Sequence, residues 1–239
     1  KKTKRGKINL KNKNIQEVIT RFIEHTSDHK EIKAIALGVQ GIVKDGSYLI
    51  NGSNGEWIKN DIGDFIQNKF GIPVILENDL NSTVLGFSIN FAEENKDREQ
   101  KNLSSVYIEF AEDCTGAGII SNGEIIRGKN NFAGEFGFIP VEGLRTVDDI
   151  INEECGNEEY TETLVKLIMI INYTINPGII IMRGKRFREE LHDLVVKKCQ
   201  EHIPEGSFPE IIFKKHSFDD YFRGISSLGV QLMHKNIGI

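Results

Sequence analysis

Three side chains stand out for the chemistry they could do and for where they fall. Asn78 and Asp79 close an apolar run at 72–77 (IPVILE), and Glu135 sits in the tight stretch FAGEFGF at 132–138. Carboxylates and amides can exchange hydrogen bonds with hydroxyl groups, and a carboxylate can also accept a proton. The same residue types also cap helices and bond backbone amides in turns. Spacing alone leaves both readings open. Between them lies TGAGIIS (115–121), whose glycines would let backbone amides approach a ligand closely. His25 and His29 are four apart, a metal-compatible spacing on a helix, but they fall near Asp28 at an expected helix end and read as exposed residues. The other histidines form no catalytic or metal spacing. Cys114, Cys155 and Cys199 are far apart, which fits a reduced, cytoplasmic protein better than a disulfide framework.

The elements that must carry these residues follow from periodicity. Ile15, Val18, Ile19, Phe22 and Ile23 lie at helical spacing. Residues 32–38 (IKAIALG) and 72–77 read as buried strands. Residues 60–70 read as a helix stopped by Gly71. SVYIEF (105–110) alternates as a strand does. Asn122-Gly123, flanked by apolar runs, predicts a hairpin within 116–128. Helices are expected at about 158–175, 185–202 and 218–235, with strands at 178–182 and 210–213. Strands alternating with helices give an α/β class.

Composition bounds the partners. The chain has 239 residues and a net charge of −5, so the surface as a whole gives no reason to expect nucleic acid. The basic start KKTKRGK (1–7) reads as a solvated terminus or linker. No apolar run reaches the roughly 18 residues of a membrane span, and no signal peptide is visible.

Two blocks resemble the ROK family of repressors and sugar kinases. The first is ALGVQGIV (36–43) with NGSNGEW (51–57) and GIPVILENDLNSTVLG (71–86). The second is TGAGIISNGEIIRGKNNFAGEFGFIPV (115–141). NPGIIIMRGKRF (176–187) resembles the family's Asn-Pro-strand-Gly-Gly stretch. The resemblance implies a two-lobed, actin-like or hexokinase-like (ribonuclease-H-like) α/β fold. The lobes would be 1–102 and 103–239, divided in the charged stretch 92–102, with the last helix returning to the first lobe. It places a sugar between the lobes, bound by Asn54, Asn78, Asp79 and Glu135, with Asp79 as the base in a kinase. Gly116, Gly118 and Gly184 would be vestiges of the nucleotide site. Trp57 reads as a packing anchor.

The sequence also departs from the family. No DxGxT phosphate motif precedes Ile32. Glu112-Asp113-Cys114 replaces the front half of the phosphate loop, putting two negative charges and side-chain bulk where glycines are usual. Arg183-Gly184 replaces a Gly-Gly pair. Phe138 replaces a histidine, and Cys155 is all that remains of a cysteine cluster, so no metal is expected. The segment 140–176 is short and lacks a second sugar-binding Glu. The implied function is the sugar-sensing domain of a ROK transcriptional regulator without kinase activity and without a cofactor. An ATP-dependent sugar kinase and a dimerisation scaffold are the alternatives. Partners would be a small sugar or sugar phosphate and a second copy of the chain, with DNA contacted only through an upstream domain and no membrane contact.

Overall fold

The computed structural model describes residues 14–26, 31–51, 56–95, 102–152 and 155–237. They divide into two compact units. One runs up to Glu77 and takes in the chain again from Leu228; the other is Asn78–Ser227. This division does not fall in the charged stretch 92–102. Its physical reason is the helix after Asn78, which packs on the sheet of the second unit.

In the first unit, α1 (Ile15–Glu24) begins at Asn14, whose side chain accepts the Gln16 N–H. Strand β1 (Ile35–Val39) neighbours β5 (Val74–Asn78). Between them lie β2 (Ile42–Lys44), β3 (Ser47–Asn51) and β4 (Trp57–Asn60), an antiparallel sheet, and then α2 (Ile62–Phe70). Asp45 and Gly46 join β2 to β3 with φ of 42° and 77°, the twist a two-residue hairpin demands. Gly71, at φ 67°, ends α2 as the sequence predicts. Ile23, Ile62, Ile66 and Leu76 form the buried centre.

The second unit is a three-layer sandwich. Helix α3 (Asp79–Glu94) leads into β6 (Ser105–Phe110), β7 (Thr115–Ser121) and β8 (Glu124–Ile125). Asn122 and Gly123, at φ 50° and 78°, make the expected hairpin turn. The short strands β9 (Pro140–Glu142) and β10 (Arg145–Thr146) precede α4 (Val147–Asn152) and α5 (Asn157–Ile175). Strand β11 (Ile179–Arg183), α6 (His192–Gln200), β12 (Glu210–Phe213) and the first half of α7 (Phe218–Ile237), as far as Ser227, complete it. The sheet order is β12-β11-β6-β7-β8, with β12, β11 and β6 parallel and β7 and β8 antiparallel.

Strand alternation sets the two faces. Val106, Ile108, Phe110, Ala117, Ile180 and Met182 pack with Leu164 and Ile168 of α5 and Val195 of α6. Each such fully buried aliphatic side chain contributes about 1.5–3 kcal/mol. On the other face Tyr107 meets Phe87 of α3 edge-on, and Ser105 shares a 3.1 Å hydroxyl contact with Ser88. Helices α3 and α7 touch backbone to backbone. A Cβ on Gly86 would lie 1.7 Å from the Asp220 carbonyl oxygen, and one on Gly224 1.8 Å from that of Ser82. Helix α6 starts later than its periodicity suggests, because residues 184–187 first fold back on β6. Gly184 takes φ 124°, and the Arg186 N–H donates to the Phe110 carbonyl at 3.2 Å. Among the described residues no helix is long and apolar enough to cross a membrane.

The tightest junction of helix and sheet is α3 on β7, and it gives a direct test. Gly118→Ala would place a methyl group 2.2 Å from the Leu80 carbonyl oxygen. We expect a loss of about 1–3 kcal/mol. Gly206→Ala, which meets nothing within 4 Å, should change stability by less than about 0.5 kcal/mol. Urea unfolding of both variants checks this, and equal midpoints would refute the packing argument.

Candidate functional site

The first half of the site is the start of α3. Asn78 is its N-cap: its side-chain oxygen accepts the N–H groups of Leu80 at 2.9 Å and Asn81 at 3.1 Å. Asp79 holds the Leu80 N–H at 3.0 Å from its own carboxylate. The hydroxyls of Ser82 and Thr83 donate back to the carbonyls of Asn78 and Asp79, at 3.0 and 2.7 Å. The turn-and-cap role that the sequence allowed for Asn78 is therefore the one its amide oxygen performs. That role fixes where the Asp79 carboxylate stands.

The second half is the AGE turn. The Ala117 N–H donates to the Gly134 carbonyl at 2.7 Å, and a Cβ on Gly134 would meet the Ala117 oxygen at 2.0 Å. With φ at 97°, Gly134 makes this closeness possible. Gly116 and Gly118, on either side of Ala117, lie under Leu80 and Val84 of α3. Asp79 and Glu135 are thus both anchored to the same three residues of β7. In this structure the two glycines serve helix packing.

Glu135 is half-buried, and its side chain caps no helix. Burial first, and the nearby Asp148 carboxylate second, raise its pKa above the ordinary Glu value. Asp148 is a residue that sequence reasoning missed. It lies in the first turn of α4, where its Oδ2 accepts the Thr115 N–H at 3.1 Å and its Oδ1 faces Arg186 at 3.5 Å. A Cβ on Gly137 would touch its Oδ2. The signal was present as a capping box, in which the Thr146 N–H donates to Asp149 and the Asp149 N–H to the Thr146 hydroxyl. Thr115 is only 2% exposed, and its hydroxyl has no partner. Exposed Cys114 sits beside these groups. Partial burial, then Asp148 and Glu135, push its thiol pKa up.

The β6–β7 turn carries Glu112 and Asp113, and it is tied to the loop after β11. Lys185 pairs with Glu112 at 2.9 Å, and Arg186 Nε donates to the Ala111 carbonyl. A Cβ on Gly184 would lie 2.1 Å from the Phe110 oxygen. Arg183 pairs across the parallel register with Glu109 at 3.1 Å and reaches Ser217 at the head of α7. Burial raises the Glu109 pKa despite that partner. Asn54 lies outside the described residues.

Phe138 and Cys155, at the positions of the family's histidine and cysteine cluster, do not fit a metal. Phe138 offers no donor atom, and it is exposed and stacked on Phe132 at 6.0 Å. The Cys155 sulfur lies 3.7 Å from Arg188. Among the described residues no three His, Cys, Asp or Glu side chains could hold an ion together. What the site can do is accept hydrogen bonds from hydroxyl groups through carboxylates held in fixed places.

Comparisons with known proteins bear on the family and the fold. Residues 9–166 match the ROK family. The xylose repressor of Bacillus spizizenii is 30% identical over 108 residues, 45% of this chain and 26% of that protein. The chain thus spans about a quarter of that relative's length. A glucokinase of Halalkalibacterium halodurans is 29% identical over 122 residues, 51% of this chain and 35% of that protein. Among solved structures, a ROK family transcriptional regulator, a homologue of the E. coli MLC protein, superposes with TM-score 0.66 at 17% identity, covering 91% of this chain and 67% of that one. The fold is the actin-like, hexokinase-like α/β fold of these proteins.

The pairing of Glu135 with Asp148 is open to measurement. In a carboxyl-carbon NMR titration, Glu135 should titrate above the ordinary Glu value, and Asp148→Asn should lower its pKa. Because burial is the larger cause, the variant's pKa should stay above the ordinary value. An unmoved Glu135 pKa in the variant would separate the two carboxylates.

Proposed function

The chain belongs to the ROK family, and from that premise we propose that it is the sugar-sensing domain of a ROK transcriptional regulator, binding its ligand without phosphorylating it. The observation that carries this reading is the state of the strand ends. A phosphate-binding loop needs small residues and unengaged backbone amides. Here Glu112 and Asp113 occupy the turn, and Lys185, Arg186 and Gly184 tie it to the neighbouring loop. Arg183, where a glycine would leave room for a nucleotide base, is engaged with Glu109 and Ser217.

The ligand-binding half of the machinery is present in chemical terms. Asp79 has a fixed position at a helix N-terminus, where the helix dipole favours a carboxylate. Glu135 projects from a turn locked to the same strand. Carboxylates in these positions suit the paired hydroxyls of a sugar. Asn54 completes the proposed contact set. DNA binding by a longer protein and self-association are parts of the same proposal. The sugar-kinase alternative rests on Asp79, which has the chemistry of a base; the scaffold alternative needs no ligand at all.

Two experiments test the reading. Incubation with ATP, magnesium and a panel of hexoses and amino sugars should give no turnover; rates of about 1–100 per second, usual for kinases, would overturn it. Calorimetric titration should find a sugar that binds. Asp79→Asn and Glu135→Gln should each weaken that sugar by about 10- to 150-fold, the value of a charge-assisted hydrogen bond of about 1.5–3 kcal/mol. Unchanged affinity in both variants would move the site elsewhere, and no binding across the panel would favour the scaffold.

A further inference from the structure

Strand β12 is the outermost strand of the five-stranded sheet, and among the described residues no strand pairs with its other side. The phase of its backbone says what that side presents. The Glu210 N–H donates to the Gly178 carbonyl at 2.9 Å and the Lys214 N–H to the Met182 carbonyl at 3.1 Å, both toward β11. Hydrogen-bonding direction alternates along a strand. The N–H and C=O groups of Ile211 and Phe213 therefore point out of the sheet. An open edge of this kind is a template for another strand. Pro209 before it lacks an N–H, and Lys214 and Lys215 after it bring charge. These bounds are unfavourable to an open-ended sheet and leave room for one short, closed pairing.

Apolar surface flanks the edge on both faces of the sheet. On one face a groove of about 640 Å³ separates β12 from α6. It is lined by His192, Val196 and Gln200, on successive turns of the helix, and by Ile203, Phe208 and Ile211. On the other face the head of α7 lies over β11 and β12, tied there by Arg183 to Ser217 and by Lys214 to Asp220 at 2.6 Å. Asp220 and Gly224 face α3. Phe218 and Phe222 stand about half a turn round the helix from them, on the side of the β12 edge. The two rings stack at 6.4 Å, and Phe218 is 51% exposed.

We propose that the β12 edge is an interface for a second copy of the chain, in which the two β12 strands pair antiparallel about a two-fold axis perpendicular to the sheet. The choice of a second copy rests on self-complementarity, which a two-fold interface requires. Ile211 of one copy opposite Phe213 of the other forms a pair of backbone hydrogen bonds, and the axis repeats the pair. The same axis keeps both α6 helices on one face and sets them antiparallel. Helix α6 carries Asp193 in its first turn and Lys197 and Lys198 in its last. Each acidic end therefore falls beside a basic end of the other copy. The groove of each copy receives apolar side chains of the other. The inference gives a place to the self-association contained in the regulator reading, and its test needs neither sugar nor DNA.

Sedimentation equilibrium of the whole chain between about 1 and 100 μM should show monomer and dimer in exchange. Amide hydrogen exchange should slow at Ile211 and Phe213 in step with the dimer fraction, because their N–H groups face out of the sheet. Asp193→Lys alone, and Lys197→Glu with Lys198→Glu, should each weaken the dimer about ten-fold, and the three together should restore it. Asp193 and Lys197 are exposed and Lys198 is half-exposed, so these variants keep the fold. Ile211→Pro removes an outward N–H and no bond to β11, and should weaken the dimer about ten-fold or more. A dimer that ignores these substitutions, or in which Ile211 and Phe213 exchange freely, forms through another face; that result overturns the inference and leaves the regulator reading standing. A chain that stays monomeric up to about 100 μM overturns the inference and strips self-association from that reading, while the sugar titration judges the sensing part separately.

Discussion

The second unit depends on one close approach, that of helix α3 to strand β7. Gly116 and Gly118 carry no side chain, so Leu80 and Val84 can rest almost on the strand backbone. Any larger residue there would lift the helix. The same three-residue stretch holds the AGE turn through Ala117 and Gly134. Two carboxylates more than fifty positions apart in sequence, Asp79 and Glu135, are therefore positioned by a single piece of sheet. The Asn78 cap and the back-donating hydroxyls of Ser82 and Thr83 then fix the helix start.

At the carboxyl ends of β6 and β11 the same economy of space has the opposite effect. Ion pairs and backbone contacts occupy what in an α/β sheet is the usual ligand crevice. Lys185–Glu112 is largely open to water and adds little stability, and in the mostly buried Arg183–Glu109 pair desolvation offsets much of the attraction. Their importance lies in the space and charge they take up. A mostly buried guanidinium already in contact with a carboxylate and a hydroxyl is poorly placed to receive a flat base. A turn bearing two carboxylates is poorly placed to receive phosphates.

Much of this was legible in the sequence where the signal was local. The Asn122-Gly123 hairpin, the Gly71 stop and the strands at 105–110 and 210–213 follow from turn chemistry and periodicity. Asp45-Gly46 carries the same turn signal, but its first flanking strand is three residues long and shows no clear alternation, so that sheet was missed. The site was legible only in part. Asp79 and Glu135 stood out through their resemblance to a family pattern. Asp148 needed the capping box at Thr146 to be read as the start of a helix. The Arg183–Glu109 pair depends on the parallel register of β11 on β6, which no local window contains. The division at Glu77 likewise depends on which sheet α3 joins, a choice made by two glycines more than thirty residues downstream.

Cys114 shows what this electrostatic setting means for redox chemistry. A surface thiol would normally be a liability, since the thiolate is the form that oxidises and alkylates. Here partial burial and the surrounding carboxylates keep the sulfur protonated. The carboxylates around the AGE turn therefore also passivate an exposed sulfur that has neither a disulfide partner nor a metal to protect it.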